Sequence, residues 1–143
     1  MSNEHTVKSY EEELRHLIDS VIKMGSLTES QLVDSMDAVI KVDKDSIDKI
    51  IKSDDEINKF RSKIDTQIMT LLVKRAPMAI DLRETISSLK ISQDLERIGD
   101  LSKSNAKKVK PLPLDLPEEL LGNLKRLGDL VIKQLNDVLD SYV

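Results

Sequence analysis

The sequence predicts an all-α fold, an antiparallel three-helix bundle followed by a fourth helix that begins a second, incomplete repeat. Apolar residues recur three or four positions apart over long stretches, which is the spacing of one helix face. All four prolines lie between those stretches, where they do not interrupt a helix. With one Phe, two Tyr and no Trp, the core must be aliphatic, and 34% charged residues supply polar outer faces.

The first helix is expected to run from about residue 6 to residue 40. Its apolar face contains Leu14, Leu17, Val21, Met24, Leu32, Met36, Val39 and Ile40. Gly25 interrupts this pattern, and a glycine inside a helix costs about 1 kcal/mol relative to alanine. We therefore expect a neighbouring helix to approach closely at Gly25.

Two further helices are predicted over about 43–73 and 79–109, separated by Pro77. The second helix carries isoleucine and leucine on one side and a mixture of Asp, Lys and Glu on the other. In the third helix the residues expected to be buried are Leu82, Ile86, Leu89, Ile91, Leu95 and Ile98. Together these three helices predict a first repeat over residues 1–110.

A proline-rich linker, residues 111–116, precedes the fourth helix over residues 117–143, and Asp115 is a candidate cap for it. The apolar seam of this helix repeats that of the first helix 103 positions later. Three polar or small matches, Gly25 with Gly128, Gln31 with Gln134 and Asp34 with Asp137, favour a duplication over chance. On this interpretation the second repeat is incomplete, as in a truncated form. The seam then needs a partner, either on the same bundle or on another subunit, and a homodimer through the fourth helix is expected. Its residues are Leu120, Leu124, Leu127, Val131, Leu135, Val138 and Tyr142.

Composition excludes several classes of function. The chain has no cysteine, which excludes thiol catalysis and thiolate metal sites. A net charge of −4 and few aromatic side chains argue against nucleic-acid binding. No apolar run reaches the ~20 residues that span a bilayer, so direct membrane insertion is not expected. The polar N-terminus is unlike an export signal, so we expect a cytoplasmic location. Motifs of nucleophilic or phosphate-loop catalysis are absent, so the chain is not expected to be an enzyme.

Two acidic pairs are candidate metal ligands. Glu96 and Asp100 are four residues apart and project from one helix face, and Asp54 and Asn58 have the same spacing on the second helix. Carboxylate oxygens suit a divalent or ferric ion such as Mg, Mn, Zn or Fe. The alternative is a solvated face on which these carboxylates pair with Arg61, Arg97 or Lys59.

The segment from Lys74 to Arg83 combines basic residues with a break between helices. Arg75 and Pro77 are followed by Asp81 and Arg83 in the first turn of the third helix, where Asp81 suits the positive helix end. The loop could contact an acidic or phosphorylated partner, or it could only end one helix and begin the next. Spacing alone leaves both interpretations open.

These motifs together resemble the PhoU family. The resemblance rests on Lys74-Arg75-Ala76-Pro77-Met78-Ala79-Ile80-Asp81-Leu82-Arg83, on Leu95-Glu96-Arg97-Ile98-Gly99-Asp100, and on Asp54-Asp55-Glu56-Ile57-Asn58 upstream. It implies tandem three-helix bundles, dimer formation and metal binding by the acidic motifs. Asn58 stands where many members have aspartate, which weakens the implied metal site on the second helix.

The resemblance also implies a function. It predicts a negative regulator of phosphate uptake and of the phosphate-starvation response, an adaptor between the ATPase subunit of the phosphate-specific ABC transporter and a sensor histidine kinase. Such an adaptor would be cytoplasmic and held at the inner membrane through its partners. The alternatives are a metal-buffering helical bundle and a truncated bundle with no function of its own.

Overall fold

The computed structural model describes residues 2–78 and 80–142, and excludes the side chains of residues 2–8 and of Arg75. It contains four helices: α1 (Ser2–Lys41), α2 (Ile47–Arg75), α3 (Ile80–Lys108) and α4 (Glu118–Tyr142). No strand occurs in this described part of the chain, so the predicted all-α class is confirmed. None of these helices is both long enough and apolar enough to cross a membrane, within the residues described.

Helices α1, α2 and α3 form an up-down-up bundle with an aliphatic interior. The main core holds Leu17, Val21, Met24, Leu32, Ile57, Ile64, Ile68, Leu71 and Leu95. A second cluster fills the end of the bundle near the α1–α2 turn and contains Ala38, Val42, Ile47, Ile50, Ala106 and Val109. Burial of these side chains is what holds the amphipathic helices together.

Two predicted helix starts differ from the structure. α1 begins at Ser2 instead of residue 6, and α2 begins at Ile47 instead of residue 43. Before α2 the carboxylate of Asp43 accepts hydrogen bonds from the backbone N–H groups of Asp45 and Ser46, at 3.0 and 3.3 Å. This local bonding holds a turn that competes with the helix, and Val42 has a positive φ of 50°.

The buried face of α3 is also different from the predicted one. Leu82 is exposed, Ile86, Leu89, Ile91 and Ile98 are only partly buried, and Leu95 alone of the predicted set is fully buried. The face against α1 and α2 is instead made of small residues at alternating spacings of three and four: Thr85, Ser88, Ser92, Leu95, Gly99, Ser102 and Ala106. Small side chains let the helix backbones approach closely.

The buried hydroxyls on this face cost little because they bond within their own helix. Thr85 donates to the carbonyl of Asp81 at 2.8 Å, and Ser102 donates to the carbonyl of Ile98 at 2.8 Å. A Ser or Thr side chain in a helix reaches the carbonyl three or four residues earlier without outside help. Polar residues therefore occupy a core seam without leaving unsatisfied groups.

Helix α4 packs antiparallel against α1 through two glycines. A Cβ at Gly25 would lie 2.5 Å from Leu139 Cδ2, and a Cβ at Gly128 would lie 2.5 Å from Met36 Cε. Gly128 follows Gly25 by 103 positions, and Leu139 follows Met36 by the same number. The pair is therefore related by an approximate two-fold axis, and the close approach expected at Gly25 is confirmed.

The segment joining α3 to α4 packs its leucines onto the bundle end. Leu112 and Leu116 lie against the second core cluster. The predicted cap at Asp115 is wrong in position, since α4 begins at Glu118 and the carbonyl of Pro117 accepts the first helical bond, from Leu121 at 3.1 Å. Asp115 lies two residues before that carbonyl and is exposed.

Candidate functional site

Two of the residues predicted from the sequence, Asn58 and Asp100, lie around a third, the buried carboxylate Asp54 near the start of α2. Asp54 is 1% exposed. Its Oδ1 accepts a hydrogen bond from Gln31 Nε2 of α1 at 3.1 Å, and its Oδ2 accepts one from Asn58 Nδ2 at 3.3 Å. Asp54 and Asn58 of α2 are therefore in contact, but Asn58 turns its N–H group, not its oxygen, toward Asp54.

Gln31 joins all three helices of the bundle at this point. Besides Asp54 on α2, its Nε2 donates to the carbonyl oxygen of Gly99 on α3 at 2.8 Å. A Cβ at Gly99 would lie 3.1 Å from Ile57 Cδ1 and 3.4 Å from Asp54 Oδ1, so the absence of a side chain there keeps α3 close to α2. The helix that comes close to α3 at Gly99 is therefore α2.

The positive partner of Asp54 is Lys103, on α3. Its Nζ contacts Asp54 Oδ2 in a short ion pair and Asp100 Oδ1 at 3.2 Å. These two carboxylates raise the pKa of Lys103 above its ordinary value, with the hydrogen bond to Asp54 as the largest cause. A lysine thus joins one carboxylate of each predicted acidic pair.

Glu96, the other member of the α3 pair, faces a different cation. Arg61 Nε of α2 lies 3.3 Å from Glu96 Oε2, and the same guanidinium contacts Asp65. Arg61 is mostly buried, with 13% of its side chain exposed, whereas Glu96 is 39% exposed. Glu96 therefore pairs with Arg61, and Glu56 pairs with Lys59 at 2.6 Å, as in the ion pairs named in the alternative to metal binding.

The arrangement of these side chains does not fit a metal ion. Among the residues described, no three His, Asp or Glu side chains lie where they could hold one ion. Lys103 already places a positive charge between Asp54 and Asp100, and Arg61 does so for Glu96. Metal binding by Asp54, Asn58, Glu96 and Asp100 stays a prediction that these contacts do not support.

The loop between α2 and α3 ends one helix and begins the next. Ala76 adopts the left-handed conformation with φ 43°, and its N–H donates to the carbonyl of Leu72 at 3.2 Å. Such a residue is a common helix end. Asp81 lies in the first turn of α3, as predicted, while Arg83 is exposed and Pro77 partly buried. The Arg75 side chain and Ala79 lie outside the described residues.

Arg97 is exposed on α3 and takes no part in the Asp54 cluster. Sequence reasoning missed the two residues that complete this cluster, Gln31 and Lys103. Gln31 had been noticed only as part of the repeat, and no spacing signal links either residue to Asp54 because they lie on other helices or farther along the chain. A polar residue on the otherwise apolar seam of α1 was the one available indication.

A second candidate site is an exposed apolar surface on α4. We call the side chains of Leu120, Leu127, Leu130, Val131 and Val138 the α4 face; Leu127 is 59% exposed and Val138 64%. Leu120, Leu127 and Val131 occupy the repeat positions of Leu17, Met24 and Thr28 on α1, which are fully buried against α2 and α3. The α4 face is therefore the equivalent of a core surface, although Leu135 and Tyr142 of the seam expected from the sequence pack against the bundle itself.

Comparison with known proteins bears on both sites. A family model described as the PhoU domain matches residues 21–109. That range includes Gln31, Asp54, Asn58, Glu96 and Lys103. The chain belongs to the PhoU family. The family match therefore contains the complete three-helix cluster and stops before α4.

PhoU relatives extend the similarity to almost the whole chain. The chain is 40% identical over 140 residues to the phosphate-specific transport system accessory protein PhoU homolog of Caulobacter vibrioides (strain NA1000 / CB15N), covering 97% of this chain and 61% of the relative. The Rhizobium meliloti (strain 1021) homolog of the same name is 36% identical, with 99% and 60% coverage. The chain thus spans about three fifths of the length of these relatives.

A solved PhoU structure has the same helix arrangement. The crystal structure of the phosphate transport system regulatory protein PhoU from Streptococcus pneumoniae matches with a TM-score of 0.83 and 32% identity. The match covers 92% of this chain and 62% of that one. The predicted PhoU-like bundle is confirmed at the level of the fold.

Proposed function

We propose that this chain is a regulatory accessory of phosphate-specific transport and acts as an adaptor that binds other proteins. The proposal places it between the ATPase subunit of a phosphate ABC transporter and a phosphate-sensing histidine kinase, where it lowers phosphate uptake and the phosphate-starvation response. It would work at the cytoplasmic side of the inner membrane, held there by its partners. Its relatives are an accessory protein and a regulatory protein of phosphate transport, which supports this role.

The observation that carries the proposal is the α4 face. Leucine and valine side chains at positions equivalent to a buried core lie in solvent, and contiguous exposed apolar surface of this kind marks an interaction site. Helix α4 contacts α1 through its glycine side and leaves this face open. A helix that shows an apolar face to a groove is a common mode of protein recognition.

The acidic cluster supports binding in preference to catalysis. A general acid or base needs a proton that is free to move, and each candidate carboxylate here is held by a cation: Asp54 and Asp100 by Lys103, and Glu96 by Arg61. The ion pairs of Asp54 with Lys103 and of Glu96 with Arg61 cross between α2 and α3 and stabilise the bundle. The acidic motifs therefore have a structural role: they stabilise the bundle that carries the α4 face.

The direct test is titration calorimetry with two purified partners from the same genome, the cytoplasmic region of the phosphate sensor kinase and the transporter ATPase subunit. Saturable binding of either protein is expected for the wild-type chain. Leu127→Glu/Val131→Glu, which places two charges on the α4 face, should abolish it. Glu96→Ala/Asp100→Ala reports whether the acidic turn contributes.

The matched control is Ser26→Glu/Ser30→Glu, which adds the same two charges at exposed positions of α1. This variant should bind like the wild type. Equal loss in both variants would show that charge, not the apolar face, matters. Absence of binding to either partner by the wild-type chain would refute the adaptor function for these 143 residues.

A further inference from the structure

Asp54 is a buried carboxylate that lies beside a cation inside the bundle. It is 1% exposed, and three groups donate to its oxygens: Gln31 Nε2, Asn58 Nδ2 and Lys103 Nζ. Of these only Lys103 carries a positive charge. Burying a carboxylate without a counter-charge is strongly unfavourable, so Asp54 needs this partner or another cation.

The ammonium group of Lys103 lies between two carboxylates, at the position that a bridging cation would occupy. Its Nζ touches Asp54 of α2 and Asp100 of α3, with a quarter of the side chain exposed and Asp100 mostly in solvent. A metal ion linking these two carboxylates would need the same space between their oxygens. Two cations cannot share it, because their repulsion in a partly buried position is large.

The neighbouring amides reinforce this arrangement. A carboxylate has about four lone-pair sites, and amide N–H groups occupy one on each oxygen of Asp54. Gln31 cannot reverse its amide without placing Oε1 against two acceptors, Asp54 Oδ1 and the Gly99 carbonyl. The cluster is thus built to present donors, not oxygen ligands, to Asp54.

We propose that the ammonium group of Lys103 is the resident cation of this site, and that it takes the place of a metal ion between Asp54 and Asp100. The consequence is that the wild-type chain is indifferent to divalent metals at this site, and that removing Lys103 creates a metal requirement. The accessory role proposed above is independent of this inference.

The test compares wild-type protein with Lys103→Met, which removes the charge and keeps the stem. The thermal midpoint is measured by circular dichroism in EDTA and in millimolar Mn²⁺, with Mn²⁺ binding followed by electron paramagnetic resonance. The wild type should show the same midpoint in both solutions and no stoichiometric binding. Lys103→Met should melt roughly 10 °C lower in EDTA and recover part of that loss with Mn²⁺.

Two further variants complete the test. Lys107→Met removes an exposed lysine of the same helix and should behave like the wild type. Lys103→Arg retains a cation and should remain indifferent to Mn²⁺. Should Lys103→Met fail to fold in EDTA, refolding in Mn²⁺ provides the same readout.

Three outcomes would overturn the inference. One is stoichiometric Mn²⁺ binding by wild-type protein that Asp100→Asn removes, which would place a metal at the site despite Lys103. Another is a Lys103→Met variant as stable as wild type in EDTA. The last is a destabilised Lys103→Met variant whose melting or refolding does not respond to Mn²⁺.

Discussion

At the scale of single residues, this bundle depends on polar side chains placed inside an aliphatic core. Gln31 lies on the apolar face of α1, yet its amide bonds Asp54 on α2 and Gly99 on α3. A hydrogen bond to a buried charge contributes more than one between neutral groups, because the charge has lost its water. Gln31 therefore fixes the register of the three helices along the bundle axis, which apolar contacts between leucines specify less strictly.

Replacing Gln31 tests this role. We expect Gln31→Met to lower the free energy of unfolding by about 2 kcal/mol, since Asp54 loses a donor while the volume is kept. Gln134→Met is the matched control, because Gln134 occupies the repeat position of Gln31 on α4 but is exposed. It should change stability by less than about 0.5 kcal/mol. Urea unfolding followed by circular dichroism measures both, and equal effects would contradict the proposed role.

Tyr142 gives a residue-scale prediction about pH. Its hydroxyl lies 3.0 Å from that of Ser88 on α3, and burial raises its pKa above the ordinary 10.0, as does the nearby charge of Glu84. The folded state thus favours neutral tyrosine. Its contribution to stability is complete below the unfolded-state pKa and is lost as the pH rises through the higher folded-state pKa.

We therefore expect Tyr142→Phe to cost about 1 kcal/mol near neutral pH, where the hydrogen bond to Ser88 is lost. As the pH rises through the raised pKa of Tyr142, the wild type should lose stability that the variant does not, so the difference narrows. Urea unfolding of both proteins at matched pH values measures this difference in the free energy of unfolding. Groups that titrate in the same way in both proteins do not contribute to it. A difference that stays constant with pH would show that Tyr142 does not titrate as described.

At the scale of helices, the two repeat-related elements α1 and α4 pack through a reciprocal contact. Gly25 receives Leu139 and Gly128 receives Met36, so each helix offers one hole and one side chain to fill it. The symmetry is the one expected of a duplicated helix, because a surface that fits its own copy gives two equal contacts about a two-fold axis. It also leaves the former core side of α4 as the α4 face.

Filling one of these holes should detach α4 without unfolding the bundle. We expect Gly25→Leu to displace Leu139 and to speed amide hydrogen exchange in α4 about tenfold or more, with exchange in α2 and α3 nearly unchanged. Gly122→Leu is the control, because a Cβ at Gly122 meets nothing within 4 Å. It should slow exchange slightly through its higher helix propensity. Unchanged protection of α4 in Gly25→Leu would argue against the glycine contact.

At the scale of the whole molecule, one chain holds a closed bundle and a helix with an unpartnered side. The interior of α1, α2 and α3 is filled by aliphatic side chains, whereas α4 packs along α1 and contacts α3 at Tyr142. The fold thus separates a stable bundle, α1 to α3, from a helix, α4, whose exposed apolar face can bind another protein. This division suits a protein whose proposed work is to bring other proteins together.

The α4 face also predicts self-association. We expect the wild-type chain to sediment as a dimer and Leu127→Glu/Val131→Glu to sediment as a monomer, since charges on the face would lose water in the interface. Ser26→Glu/Ser30→Glu should remain dimeric. Sedimentation velocity over a range of concentrations measures the association state. A wild type that is monomeric throughout that range would refute the predicted homodimer.

The sequence alone determined the helices, the breaks between them and an apolar seam on α4, of which Leu120, Leu127, Val131 and Val138 are exposed. Each of these depends on neighbouring residues: a spacing of three and four, a proline, a left-handed turn, or a repeat of one helix by another. Their positions were right to within about four residues. The errors fell at the start of α1, and at Asp43 and Asp115, where side-chain bonding or a proline carbonyl sets the helix end. The acidic pairs on α2 and α3 were also recognised from spacing.

Only the tertiary structure decided which face of α3 is inside and which cation meets Asp54. Apolar periodicity favoured the isoleucines and leucines of α3, but close packing of three backbones selected its Ser, Thr, Gly and Ala residues instead. Lys103 and Gln31 meet Asp54 because of the register between helices that are distant along the chain. That register is set by the packing of the whole core at once, and no local pattern records it.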